Sequence, residues 1–198
     1  MRAVTTLPSG YRSSHTITLS HNPGLLIGLN LAGAVLFVAF GLLFLFLAAH
    51  LSPAFARGGS GTLSGWGLLL IFGVLIGSVP FTLIAHELTH GLFFWIFTRK
   101  RPTYGFKGFY AYAAAPDFYI PRNQFILIGL APFVVISLIG IALLPFTALG
   151  VALTIVLILT MNAAGAVGDF YAVGVLLTQT PSTLIRDFGD GMACYRPE

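Results

Sequence analysis

Four stretches of this chain are apolar over enough residues to cross a lipid bilayer. They cover residues 25–49, 66–97, 124–147 and 151–177, and a helix needs about 20 such residues to span the hydrocarbon core. Because lipid offers no partner to a free backbone N–H or C=O group, such stretches fold as helices. The sequence therefore predicts an all-α membrane protein, with four transmembrane helices in a single domain over residues 1–198.

The composition supports this class. Charged residues make up 8% of the 198 residues and hydrophobic residues 57%, whereas soluble domains carry about 25% charged residues. The net charge of +4 could suit a nucleic-acid partner, but the basic residues lie beside the apolar stretches, where they set membrane orientation. We therefore expect the lipid bilayer as a partner and no nucleic acid.

The basic residues are distributed asymmetrically about the predicted spans. Four spans place the N-terminal segment, the connection 98–123 and the tail on one side, leaving Arg57 alone on the other. Because basic residues concentrate on the cytoplasmic side, we expect both termini to be cytoplasmic, in a multi-pass protein of the plasma membrane. The nine residues on the cytoplasmic side are Arg2, Arg12, Arg99, Lys100, Arg101, Lys107, Arg122, Arg186 and Arg196.

The second apolar stretch contains the pentad His86-Glu87-Leu88-Thr89-His90. Residues four apart share one face of a helix, so both imidazoles can bind one zinc ion. Glu87 is rotated by about 100° from His86, where it can reach a water molecule without binding the metal. Catalytic zinc takes three protein ligands and leaves one position open, so a third ligand is expected.

Depth in the membrane favours Asp169 as that ligand. His90 and Asp169 each lie eight residues before the cytoplasmic end of their spans, which places both about 12 Å below that surface. An isolated carboxylate at such a depth costs about 2.5–3.5 kcal/mol, and binding zinc would offset that cost. A buried hydrogen-bonded cluster of the same residues, serving as a proton path, is the open alternative.

Asn162 lies two helical turns before Asp169, on roughly the same face. Its amide could donate to a substrate carbonyl or to the oxyanion formed during peptide hydrolysis. A packing hydrogen bond between helices explains it equally well.

The polar connection 98–123 carries aromatic residues at alternate positions with glycines between them, a pattern typical of a β-hairpin that turns near Lys107-Gly108. An irregular amphipathic loop is the alternative. In the hairpin, a strand over 104–114 could pair with an extended substrate. The residues assigned to this substrate strand are Tyr104, Phe106, Tyr110 and Tyr112.

Two terminal segments complete the prediction. Alternation of polar and apolar residues over 15–19 indicates one short strand. The tail 178–198 is polar and mixed in charge, and we expect it to be only partly ordered.

These motifs resemble the site-2-protease class of intramembrane metallopeptidases, and more closely the small four-span membrane proteins of the Putative zincin peptidase family. The resemblance covers most of the chain and implies one zinc ion bound by His86, His90 and Asp169, with Glu87 as the general base. Site-2 proteases carry prolines and an Asp-Gly pair around the third ligand. Here glycines replace the prolines and Phe170 follows the acid, so the role of Asp169 rests on analogy. The segments that carry the resemblance are 7–11, 86–90, 105–107, 112–116, 131–132 and 162–169.

Two functional hypotheses follow from these observations. The first is a zinc metalloendopeptidase that hydrolyses peptide bonds of membrane-embedded or membrane-proximal segments near the cytoplasmic surface. The second is a zinc-binding membrane regulator or small transporter that uses the same ligands without proteolysis. The first expects a membrane-protein or peptide substrate, and homo-oligomer formation is left open under both.

Overall fold

A computed structural model describes residues 2–18, 22–57, 65–106, 111–189 and 191–198. Three of its helices are long and apolar enough to cross a membrane, and a bent pair of shorter helices would make a fourth span. The long helices expose large apolar side chains, such as Leu70 and Ile76 at 71% each, as a lipid-facing surface does. The helices are α1 (Pro23–Leu51), α2 (Pro53–Arg57), α3 (Gly65–Thr98), α4 (Arg122–Leu143), α5 (Leu149–Gly165) and α6 (Val167–Leu177), with a 3-10 turn over Leu144–Phe146.

The fourth apolar stretch is broken rather than continuous. Helix α5 ends at Gly165 and α6 begins at Val167, with a bend of 44° between them. Asp169 thus lies in the first turn of a new helix, where the free N–H groups favour a negative charge. The apolar stretch 151–177 predicts one uninterrupted helix, so the break is a departure from that prediction.

The polar segments form a four-stranded antiparallel sheet that the all-α prediction lacks. Its strand order is β1-β6-β5-β4, so the N-terminal segment, the connection between α3 and α4, and the tail meet in one sheet. The short N-terminal strand is confirmed and is longer than predicted. The expectation of a partly ordered tail is wrong, because strand pairing orders it. The strands are β1 (Tyr11–Thr18), β4 (Ile120–Pro121), β5 (Leu184–Asp187) and β6 (Gly191–Pro197).

A separate two-stranded sheet follows α3. Strand β2 (Thr103–Phe106) pairs antiparallel with β3 (Ala111–Ala114), so that Tyr104 faces Ala113 and Gly105 faces Tyr112 across the strands. The predicted hairpin is therefore confirmed in its strands and the irregular-loop alternative is wrong. Its predicted turn at Lys107-Gly108 lies outside the described residues.

The chain divides into two compact units, each with its own core. The first contains Met1–Leu31, Glu87–Pro132 and Gly168–Glu198, and its core packs Phe94, Ile128 and Leu176 against the sheet residues Ile185 and Cys194. The second contains Ala32–His86 and Phe133–Val167. The core of the second unit is built from Phe44, Ala48, Leu144, Ala152, Val156, Leu159 and Ala163.

Within the second unit, Gly140 of α4 lets α5 approach closely. A Cβ atom built on Gly140 would overlap the side chain of Leu159, which is 1% exposed. Gly73 of α3 is a matched position, since a Cβ atom there meets nothing within 4 Å.

We therefore expect Gly140→Ala to lower the free energy of unfolding by about 1–3 kcal/mol through overpacking. Gly73→Ala should be neutral or slightly stabilising, because alanine favours the helix over glycine. Thermal unfolding in detergent measures both variants. Equal melting temperatures for the two would contradict the close packing of Leu159 on Gly140.

Candidate metal centre

The two histidines of the pentad lie on one unbroken helix. His86 and His90 both belong to α3, and they are 9% and 8% exposed. The boundary between the two compact units falls between His86 and Glu87, but the helix continues through it, so helical geometry fixes the pair on one face. Each imidazole is then oriented by a different partner.

His90 is oriented by a backbone carbonyl. Its Nδ1 atom lies 3.0 Å from the carbonyl oxygen of Ile128 in α4. Pro132 lies four residues later in the same helix, and proline has no N–H group to donate to the carbonyl four residues before it. The Ile128 oxygen therefore lacks its helical donor and accepts the Nδ1 proton, which leaves the Nε2 lone pair of His90 available.

His86 is oriented by a side chain. Its Nδ1 atom lies 3.0 Å from Oδ1 of Asn162, which is 1% exposed. With Nδ1 donating its proton, Nε2 is again the nitrogen that carries a lone pair. The bond from α3 to α5 is the packing hydrogen bond that the sequence analysis considered for Asn162, while its oxyanion role stays a prediction.

Asp169 brings a carboxylate to the same place. Its Oδ1 atom lies 3.4 Å from Nε2 of His90. Ligand atoms of His86, His90 and Asp169 all lie within 4.8 Å of one another, and this is the group of potential metal ligands identified among the described residues. Two imidazoles and one carboxylate, with the ring N–H groups already engaged by oxygen acceptors, match the donor set and outer shell typical of catalytic zinc.

Glu87 borders this group without belonging to it. It is half-buried and follows His86 directly in α3, so its side chain points about 100° away from that of His86. This is the position expected of a group that handles protons beside the metal rather than one that binds it.

Asp187 is an acidic residue near the centre that the sequence analysis set aside with the tail. It ends strand β5, and its Oδ1 atom accepts the N–H of Gly189 at 2.8 Å. Burial raises the pKa of Asp187 to about 7, and the negative charges of Asp169 and Glu87 act in the same direction. Only the pairing of β5 with β6 and β4 brings this carboxyl group toward α3, so no local sequence pattern could have found it.

The substrate-strand residues occupy different positions. Tyr104 reaches α3 at Gly91, where its hydroxyl occupies the space of a Cβ atom. Tyr112 packs on Gly105 across the hairpin and on Gly189 beyond β5. Phe106 is 65% exposed, and Tyr110 lies outside the described residues.

We expect Pro132→Ala to weaken zinc binding about tenfold, within the range for losing an outer-shell partner of a metal ligand. The new N–H group would donate to the Ile128 carbonyl and compete with His90. Chelator competition on the purified protein measures the affinity. Pro80→Ala makes the same change inside α3 and should retain wild-type zinc affinity. If Pro80→Ala and Pro132→Ala lose zinc affinity equally, the cause is helix straightening and not competition for the Ile128 carbonyl.

A second prediction concerns Asp187 in the metal-free protein. The pKa of Asp187 is about 7 in the folded state and about 3.9 in unfolded chains. Between these two pH values, the native state therefore binds a proton that the unfolded chain has lost. Stability therefore falls as pH rises from about 4 to about 7 and then levels off. Asp187→Asn keeps an acceptor for Gly189 and removes the charge.

The melting temperature of Asp187→Asn should thus exceed that of the wild type by a margin that grows up to about pH 7. Thermal unfolding with chelator at several pH values tests this. A constant margin across that range would contradict the raised pKa.

Comparison with known proteins agrees with this geometry. No curated protein and no solved structure matches the chain. One family model, described as Putative zincin peptidase, matches residues 79–185. That range is more than half of the 198 residues, and it contains the pentad, the β2–β3 hairpin and Asp169. The chain belongs to the Putative zincin peptidase family.

Proposed function

We propose that this protein is a site-2-protease-like intramembrane zinc metalloendopeptidase. It hydrolyses peptide bonds of membrane-embedded or membrane-proximal segments near the cytoplasmic surface. The observation that carries the proposal is the convergence of His86, His90 and Asp169 within 4.8 Å, beside Glu87 and within a family of zincin type.

The residues divide the chemistry between them. His86, His90 and Asp169 would hold one zinc ion, which polarises a scissile carbonyl and acidifies water when bound. Glu87 takes the proton of the attacking water and delivers it to the leaving amine. Asn162 and Ile128 keep the imidazoles in the tautomer that binds metal.

The four-stranded sheet supports four membrane crossings. Its strands come from the segment before α1, the connection between α3 and α4, and the tail after α6. Segments joined in one sheet lie on the same side of a membrane, so an even number of crossings separates each pair. Helices α1 and α3 make one pair of crossings, while α4 and the bent α5–α6 pair make the other. The basic residues on the sheet side support a cytoplasmic location for that side in a plasma-membrane protein.

The β2–β3 hairpin supports an extended substrate. Within the described part of the chain, β2 pairs with β3 alone, and Thr103, Tyr104 and Phe106 of β2 are exposed. A helical segment hides its carbonyl groups, so a substrate must be extended before hydrolysis. The extended substrate would add as a strand to the edge of β2 that does not pair with β3, where Tyr104 and Phe106 would contact it. Tyr112 lies on the neighbouring strand β3, and the role of Tyr110 stays a prediction outside the described residues.

We expect Glu87→Gln to abolish cleavage while one zinc ion per chain remains bound, because Gln cannot accept the proton of water. His90→Ala should lose both zinc and cleavage. Zinc content by mass spectrometry and cleavage of fluorescein-labelled casein in detergent measure the two properties.

Full zinc occupancy in His90→Ala would contradict the ligand assignment. Zinc-loaded wild type that cleaves no more than Glu87→Gln would favour a zinc-binding regulator or small transporter over a peptidase.

A further inference from the structure

Gly91 forms a cradle for Tyr104 on the surface of α3. A Cβ atom at Gly91 would overlap the hydroxyl oxygen and the outer ring carbons of Tyr104. Glycine is thus the residue that lets this phenol reach the helix backbone directly after the ligand His90. Tyr104 as a whole remains 48% exposed, so a substrate can contact part of this residue.

The cradle lies on the same side of α3 as the proposed base. Gly91 follows Glu87 by four residues, which places the two about 40° apart around the helix and one turn apart along it. Burial raises the pKa of Tyr104, and the negative charge of Glu87 raises it further. The phenol therefore keeps its proton near neutral pH beside a carboxylate, which makes it a hydrogen-bond donor.

Strand β2 supplies the third observation. Tyr104 belongs to the exposed strand β2, and an extended substrate would pair with the edge of β2 that does not face β3. A peptide lying there would pass the Tyr104 hydroxyl as it approaches Glu87.

We propose that Tyr104 is a catalytic residue whose hydroxyl, held in the Gly91 cradle, donates a hydrogen bond to the scissile carbonyl oxygen. This inference rests on the proposed peptidase function. During hydrolysis, water oxygen bonds to the carbonyl carbon, its proton passes to Glu87, and the carbonyl oxygen gains the negative charge that Tyr104 stabilises. Collapse breaks the C–N bond, and the proton on Glu87 passes to the departing amine.

The test compares Tyr104→Phe with the wild type in full-length, zinc-loaded protein. Removing one such donor typically costs about 10²–10³-fold in kcat. We expect a loss of about 10²-fold in kcat for casein, with KM, zinc content and melting temperature unchanged. Tyr119→Phe removes a hydroxyl that contacts Arg186 and should leave kcat unchanged.

Gly91→Ala tests the cradle by displacing the phenol without altering it. Its kcat should fall as in Tyr104→Phe, and the double variant should be no slower than the slower single variant. If the fold losses in kcat of the two single variants multiply in the double variant, the two substitutions act independently. That result would overturn the cradle.

Inhibitor affinity provides a readout other than activity. A phosphinate peptide mimics the tetrahedral oxyanion, whereas a hydroxamate peptide depends mainly on the metal. Tyr104→Phe should weaken phosphinate binding at least tenfold and leave hydroxamate binding unchanged. If Tyr104→Phe binds the phosphinate as tightly as the wild type does, or retains the wild-type kcat, the role of Tyr104 is overturned.

These outcomes separate the two proposals. If wild type cleaves casein, Glu87→Gln does not, and Tyr104→Phe matches wild type, the role of Tyr104 alone is overturned. If wild type and Glu87→Gln are equally inactive, the peptidase function fails and the role of Tyr104 fails with it.

Discussion

Polar groups within strongly apolar helices must be satisfied by one another, and this constraint organises the centre of the protein. His86, Glu87, His90 and Asp169 lie within helices that are otherwise strongly apolar. Each isolated charge would cost several kcal/mol. These polar groups are satisfied by neighbouring groups. Asn162 accepts the N–H of His86, the Ile128 carbonyl accepts the N–H of His90, and Asp169 faces His90. A divalent cation would complete this arrangement more fully than hydrogen bonds alone, because it would pair with the carboxylate.

Helix irregularities supply the partners that this convergence needs. Pro132 frees the Ile128 carbonyl for His90, and the break at Ala166 starts a new helix just before Asp169. Gly91 admits the Tyr104 hydroxyl beside the pentad. Pro132 and the break at Ala166 are local departures from a regular helix, whereas Gly91 leaves α3 unbroken and only makes room for the phenol.

Local patterns predicted the features that depend on local chemistry. Apolar length located the helices, the i, i+4 spacing of His86 and His90 predicted a shared face, and alternation located the β2–β3 hairpin. The four-stranded sheet escaped prediction, because Thr16 and Ala193 become neighbours only when strands from opposite ends of the chain pair. Asp187 escaped for the same reason. The importance of Pro132 depends on a histidine 42 residues earlier in the chain, which no window of sequence around the proline contains.

The identity of the third ligand needs a direct test, because two carboxyl groups, those of Asp169 and Asp187, lie near His90. Zinc content per chain, measured by mass spectrometry on purified wild type, Asp169→Ala and Asp187→Asn, distinguishes them most directly. We predict one zinc ion in wild type and in Asp187→Asn, and loss of zinc in Asp169→Ala. Retention of zinc in Asp169→Ala together with its loss in Asp187→Asn would contradict Asp169 as the third ligand.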